Sequence, residues 1–394
     1  MKCAFLVPVG LLASGLSLSN ATGARDVQRV QRVTVGRGAG FATCEGIDAS
    51  NGNQAPSEFP ASPQVSFRTR LAGGIGQAPA SDAQGNLIVV HSEPRVSRLD
   101  AKGRTLWSER LPSEASSAPV LTSAGSTLII TREGEALLYS AQGKLRSKRA
   151  LPLTDPRRRS LSIPTGSGGA VVASGSDLLE LDERGALLRK LHGTATFSTV
   201  AEADAALVAV SDDGNVQVAR ATGDLTLVGS FGGSVVEGAA VSAGRVFAIV
   251  DGHKWCALDL KTGRVETLAV EQGLTLSGPV ALLDAPSAAL VAGSGFISTR
   301  AKDGTETLRV ALNTAQSLDP ALRGARPALV ISDQRGTIAA VQSGTDALLL
   351  HPGGNALRLD ETSCLDPFRP TPTKGGLVFA CRSGQLFGVS GTAP

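Results

Sequence analysis

The chain has 394 residues, of which 46 are glycine, one is methionine and one is tyrosine, and it carries a net charge of +3. That supply of turn formers, with no sustained helical periodicity after residue 40, excludes a mainly helical protein. The charge is spread along the chain, which speaks against a nucleic-acid binder built on a broad basic surface with stacking aromatics.

Met1 and Lys2 precede an apolar run from Ala4 to Leu18 that ends in Ser19-Asn20-Ala21. A basic start, an apolar middle and a small-x-Ala end predict a secretory signal peptide over residues 1–21, cleaved after Ala21. The run is interrupted by Pro8, Gly10, Ser14 and Gly15 and is short for a membrane span. No cysteine follows it where a lipoprotein signal needs one; Cys3 lies too early. The expectation is an exported protein, periplasmic or secreted, with no membrane span after cleavage; the alternative is a retained N-terminal anchor. Residues 22–60 are rich in Gly, Ala, Arg, Asn and Ser and read as a flexible spacer.

Residues 77–111 set the pattern for the rest. Leu87 to Val90 is a compact apolar run that predicts a buried strand. The polar stretch His91 to Pro94 turns the chain. Val96 to Asp100 predicts a strand closed by Ala101-Lys102-Gly103, and Thr105 to Leu111 the next, carrying Trp107. Residues 77–80 would form the innermost strand. The layout recurs at a period of about forty residues to the C-terminus. Later units start at Ser117-Ala118-Pro119, Ile163-Pro164, Ser198-Thr199, Gly238-Ala239, Gly278-Pro279, Asp319-Pro320 and Arg369-Pro370. Four short antiparallel strands cannot bury both faces alone, but they can when stacked radially with copies of themselves. The spacing therefore predicts an all-β propeller over residues 61–394, with eight four-stranded blades and seven as the alternative count. The last unit lacks an outer strand. Residues 64–71 (QVSFRTRL) match 105–111 (TLWSERL), with Phe67 in the place of Trp107, so this upstream strand is expected to complete the last blade and close the ring.

Four cysteines remain after the signal: Cys44, Cys256, Cys364 and Cys381. Cys364 precedes the inner strand of the last unit and Cys381 ends the next strand, so Cys364–Cys381 is the first choice for a disulfide in an oxidising compartment. Unpaired thiols are the competing possibility. Cys256 reads as a small buried hydrophobe and Cys44 as unpaired in the spacer.

Residues 99–107 (LDAKGRTLW) and 257–263 (ALDLKTG) resemble the repeat of PQQ-like (quinoprotein-type) β-propellers. The resemblance covers the repeat region and is degenerate outside these two units. It implies that Asp and Gly shape a hairpin and that Trp107, with Phe67 as a substitute, docks between blades. The family includes calcium- and quinone-dependent dehydrogenases and non-catalytic members, such as the lipoprotein propeller of the outer-membrane assembly machinery. The dehydrogenase marks of adjacent cysteines and a tryptophan floor are missing from this sequence, so the resemblance implies no cofactor and no catalytic residue here.

Other chemistry is sparse. His91 and His253 fall between second and third strands, and His192 and His351 in loops leading to the next blade; all four read as solvated loop residues. Asp212, Asp213, Asp251 and Asp333 sit in tight turns, mostly beside glycine, where Asp bonds its own backbone. The loop 152–162 with Arg157, Arg158 and Arg159, and the insertion 350–368 with His351 and Asp366, are the candidate partner contacts. The expected function is a monomeric, exported, non-catalytic scaffold that binds protein partners; a degenerate quinone- or metal-dependent oxidoreductase is the alternative, and a carbohydrate-binding module a third.

Overall fold

The structure, a computed structural model, describes residues 40–391 except 43, 45–46, 48, 51, 156–157, 221, 272–275, 277–279, 285–286, 293–295, 302, 312–328, 345 and 353–354. The expected signal peptide, the spacer as far as residue 39, Arg157 and the unit starts at Gly278-Pro279 and Asp319-Pro320 lie outside the described residues.

Strands β1 (Gly40–Ala42) and β2 (Gln64–Arg70) precede the repeats. The first sheet holds β3 (Ala80–Asp82), β4 (Leu87–Val90), β5 (Arg95–Leu99) and β6 (Thr105–Arg110). The second holds β7 (Val120–Leu121), β8 (Thr127–Ile130), β9 (Glu135–Tyr139) and β10 (Leu145–Ala150). The third holds β11 (Leu161–Pro164), β12 (Ala170–Ser174), β13 (Asp177–Leu181) and β14 (Leu187–His192). The fourth holds β15 (Phe197–Ala203), β16 (Ala206–Ser211), β17 (Asn215–Ala219) and β18 (Thr226–Ser230). The fifth holds β19 (Val235–Ser242), β20 (Arg245–Val250), β21 (Lys254–Asp259) and β22 (Val265–Val270). The sixth holds β23 (Ala281–Asp284), β24 (Ser287–Ala292), β25 (Phe296–Arg300) and β26 (Glu306–Ala311). The seventh holds β27 (Leu329–Ser332), β28 (Ile338–Val341), β29 (Ala347–Leu350) and β30 (Ala356–Leu359). The eighth holds β31 (Thr371–Thr373), β32 (Gly376–Ala380) and β33 (Gln385–Ser390), with β2 as its outer strand.

Every sheet is antiparallel, and consecutive strands pair in order from the inside out, giving the four-stranded blades of a propeller. Second strands such as LIVV (87–90) and TLII (127–130) are buried on both faces, because each sheet is covered by its neighbours. Fourth strands such as β6 and β10 are mostly exposed and accept Arg, Lys and Glu. Apolar clusters therefore lie between sheets. One joins Ala80, Ile88 and Val96 of the first sheet to Ile129 and Tyr139 of the second. Another joins Leu87 and Leu99 of the first to Val378 and Leu386 of the eighth, so the closing seam is packed like the rest.

The hairpin between third and fourth strands shows why the repeat spells Asp and Gly. The Asp100 Oδ1 accepts from the amides of Lys102 and Arg104, each at 2.9 Å, while Gly103 takes φ 75°. Asp182 and Gly185 repeat the arrangement, with the same one-residue slip in the ladder before the turn. The outer strand of one sheet then docks on this hairpin of the next. Thr69 donates to Gly103 O at 3.2 Å, Trp107 Nε1 to Ala141 O at 3.0 Å, and Arg189 to Arg220 O and Gly223 O at 2.9 and 3.0 Å.

Two expectations are corrected. The spacer does not extend to residue 60. β1 pairs with β3, and Ala42, Cys44, Ile47, Ala49, Asn53, Ala55 and Phe59 are all buried, because this segment runs against the inner strands of the ring. The 350–368 insertion is also not all loop. Ala356–Leu359 forms β30, the outer strand of the seventh sheet, and only residues 360–370 connect to the eighth.

Candidate partner-binding surface

Antiparallel order gives the ring two distinct faces. One carries the loops between second and third strands together with the connections from sheet to sheet; it is called the connector face. The other carries the remaining two hairpins of each sheet. Loops held by rigid strands are where such folds place recognition.

On the connector face, the 151–160 loop is tied down by Asp177, at the start of β13. Its carboxylate accepts from the amide of Thr154 at 2.9 Å and from the Thr154 hydroxyl, and it meets Lys190 Nζ and His192 Nδ1, each at 3.0 Å. Burial by itself would raise this carboxyl, but the hydrogen bonds from Thr154, His192 and Lys190 outweigh it and hold it at about 2. Ser174 donates to Asp155 O at 2.9 Å and Ser160 N to Ser116 O at 3.0 Å, so both limbs of the loop are fixed. Arg158 and Arg159 lie between these anchors, on the loop's exposed part.

The 360–370 connector is anchored at the other end of the arc. Cys364 and Cys381 form a disulfide with a Cα–Cα separation of 5.9 Å. Phe368 N donates to Ala380 O and Arg382 N to Asp366 O, at 2.8 and 2.9 Å. The Arg382 guanidinium lies 5.0 Å from the Phe368 ring centroid. Asp366 thus serves the loop through its backbone. The result presents Leu365, 66% exposed and the most open large apolar side chain among the described residues.

Between these loops, the ends of three successive outer strands carry arginines. Arg70 ends β2 and Arg110 ends β6, each one residue before a buried leucine, Leu71 or Leu111. Arg149 is next to last on β10. No ion pair is formed by these three among the described residues, and all are exposed. The fourth and fifth sheets differ: β18 has no charge and β22 has only Glu266. The positive charge therefore forms an arc over the eighth, first and second sheets.

The remaining candidates do not join this arc. His351 lies in the hairpin between β29 and β30, on the opposite face, rather than in a loop leading to the next blade. The reason is the strand β30 that the sequence reading had absorbed into a loop. His91 is buried rather than solvated. Its Nε2 meets Ser97 Oγ at 2.8 Å and its Nδ1 meets Ala72 O at 3.1 Å, and burial lowers its pKa. Phe67 and Trp107 both face the next sheet's hairpin, and Trp107 stacks with Tyr139 at 6.3 Å. Cys256 is buried beside Thr267, and burial pushes its thiol up; Cys44 is likewise buried and outside any disulfide. Asp333 accepts from the amides of Arg335 and Thr337 in its own turn, whereas Asp251 accepts from the amide of Ser234, just before β19. Among the described residues there is no group of three or more His, Cys, Asp or Glu placed to hold a metal ion, and no helix long and apolar enough to cross a membrane.

Residues 43–188 match the family described as outer membrane protein assembly factor BamB. Over that span the chain resembles the PQQ-like β-propellers. Solved structures agree on the fold. BamB from Moraxella catarrhalis aligns at 17% identity and a TM-score of 0.59, over 84% of this chain and 98% of that chain. The computationally designed Ika8 protein aligns at 14% identity and a TM-score of 0.67, covering 84% and 100%. A catalytically inactive virginiamycin B lyase from Staphylococcus aureus aligns at 10% identity and a TM-score of 0.53, covering 84% and 99%. No curated protein matches the chain. The matched span, 43–188, includes the arginines of β6 and β10 and the Asp177-anchored loop.

Proposed function

We propose that this protein is an exported, non-catalytic propeller of eight blades that binds a protein partner in the cell envelope through its connector face. The observation that carries this reading is the arc itself. Arg70, Arg110 and Arg149 stand unpaired between two anchored loops, one of which presents Leu365. Unpaired guanidinium groups beside an exposed apolar anchor fit an acidic protein surface with an apolar centre. Arginine's planar fork suits bidentate capture of carboxylates. The match to an outer-membrane assembly factor supports a scaffold role of this kind.

The test places a photocrosslinking residue at Leu365 or at Arg110 in the full chain inside cells, with Leu227 on β18 as the control. One shared protein adduct at positions 365 and 110, missing at 227 and weakened by raising the salt to about 0.5 M, is expected. No adduct at either position, or saturable binding of pyrroloquinoline quinone with calcium, would overturn the reading.

A further inference from the structure

The mouth of the axial channel, on the face opposite the arginine arc, is filled by the chain itself. The inner strands β15, β19, β23 and β27 end there. Each offers one backbone amide toward the axis, and each amide finds a carbonyl of the N-terminal segment. Glu202 N donates to Ala49 O at 2.8 Å, Val241 N to Ser50 O at 2.9 Å, Leu282 N to Gly52 O at 3.0 Å and Ser332 N to Asn53 O at 2.9 Å. Four successive sheets therefore hold the carbonyls of Ala49, Ser50, Gly52 and Asn53, in a segment that turns at Ala49–Ser50 and takes φ 53° at Asn53.

Side chains complete the fit. Asn53 is fully buried, donates to Val280 O at 2.9 Å and accepts from Arg369. The segment then turns along β27, where Ala55 N donates to Ser332 O at 2.6 Å. Phe59 N donates to Asp333 Oδ2 at 2.9 Å, and its ring enters the cluster of Ile331, Val341, Leu349 and Phe379. Backbone donors lining a rim read shape and main chain, and pockets for side chains give selectivity; this is the chemistry of a site for a polypeptide segment.

We propose that this rim is a polypeptide-binding site kept occupied by the chain's own segment from Ala49 to Phe59, and that a segment of a second polypeptide able to present carbonyls at the same spacing competes for it. The site takes small residues at the four rim positions, an amide side chain at the last and an aromatic six residues on. It is separate from the connector face and does not depend on the function proposed above.

Hydrogen exchange on the unaltered full chain gives the first test. The amides of Glu202, Val241, Leu282 and Ser332 should open together, at least about tenfold faster than core amides such as Val208 and Ile88, because release of the segment leaves the sheets intact. Exchange of the four only with global unfolding would overturn the proposal. The second test uses the full-length Asn53→Ala/Phe59→Ala double variant and a fluorescent peptide of sequence ASNGNQAPSEF. Saturable binding to the variant, weak binding to the unaltered protein, and restored protection of the four amides are expected. A folded variant that ignores the peptide, or binds a scrambled one equally, would overturn it; if the variant does not fold, the exchange pattern of the unaltered chain decides.

Discussion

The ring of Phe67 lies flat over Gly388, its ladder partner on β33, in space that any side chain at 388 would need. The same ring reaches the next sheet, where a Cβ on Gly103 would lie 2.7 Å from it. One aromatic thus covers a strand glycine and docks two sheets at the closing seam. Phe67→Ala should cost about 2 kcal/mol, the share of a half-buried phenylalanine. Gly388→Ala should also destabilise, and the pair should cost less than the sum in chemical denaturation, because the new methyl enters the space the ring has left. Strict additivity would show that the two do not share that space.

Removing β2 altogether should do more. Deletion of residues 64–71 exposes the edge of β33 and the seam cluster of Leu87, Leu99, Val378 and Leu386. A sharply lowered melting temperature and concentration-dependent association are expected, read by calorimetry and light scattering.

Acid should loosen the arginine loop before it unfolds the ring. The Asp177 carboxyl falls from 3.8 to about 2 in the folded protein. A depressed carboxyl adds stability that is fully present above its unfolded value and is lost as pH falls through the folded one. The loss should run from about pH 4 down to about pH 2. Asp177→Asn should flatten this part of the stability profile and speed amide exchange at Thr154.

Reduction probes the other anchor. The Cys364–Cys381 link closes a loop of sequence separation 17, which is worth about 3 kcal/mol in chain entropy. Dithiothreitol, or Cys364→Ser with Cys381→Ser, should lower stability by about that amount. Exchange should rise mainly across residues 360–370.

Much of the fold could be read from local pattern. Buried second strands are continuous apolar runs, and Asp-x-x-Gly hairpins recur in phase, because one physical solution repeats. The likeness of 64–71 to 105–111 pointed to β2 as the outer strand of the last sheet, the place where it pairs with β33. The pattern failed where strands lacked it. β30 reads ALRL, too short and mixed to stand out after His351. The stretch from Ala49 to Asn53 looks like spacer because its partners are four inner strands far along the chain, a relation carried by backbone carbonyls that any sequence possesses. His91 looked solvated because nothing local announces Ala72 or Ser97 as its partners. The arginine arc emerges only once Arg70, far from β6 and β10 in the chain, is set beside them by closure.

The pairing of Gln64 with Ser390 also imposes a timetable on biogenesis. Among the described residues, β2 has as its one ladder neighbour β33, which follows every other described strand in the chain. Until β33 emerges, β2 stays single and sticky, so assembly of the seam waits on a loop closure that spans the whole ring. A chain stalled or clipped short of β33 would strand that edge, making this one strand the quality checkpoint for the ring made before it.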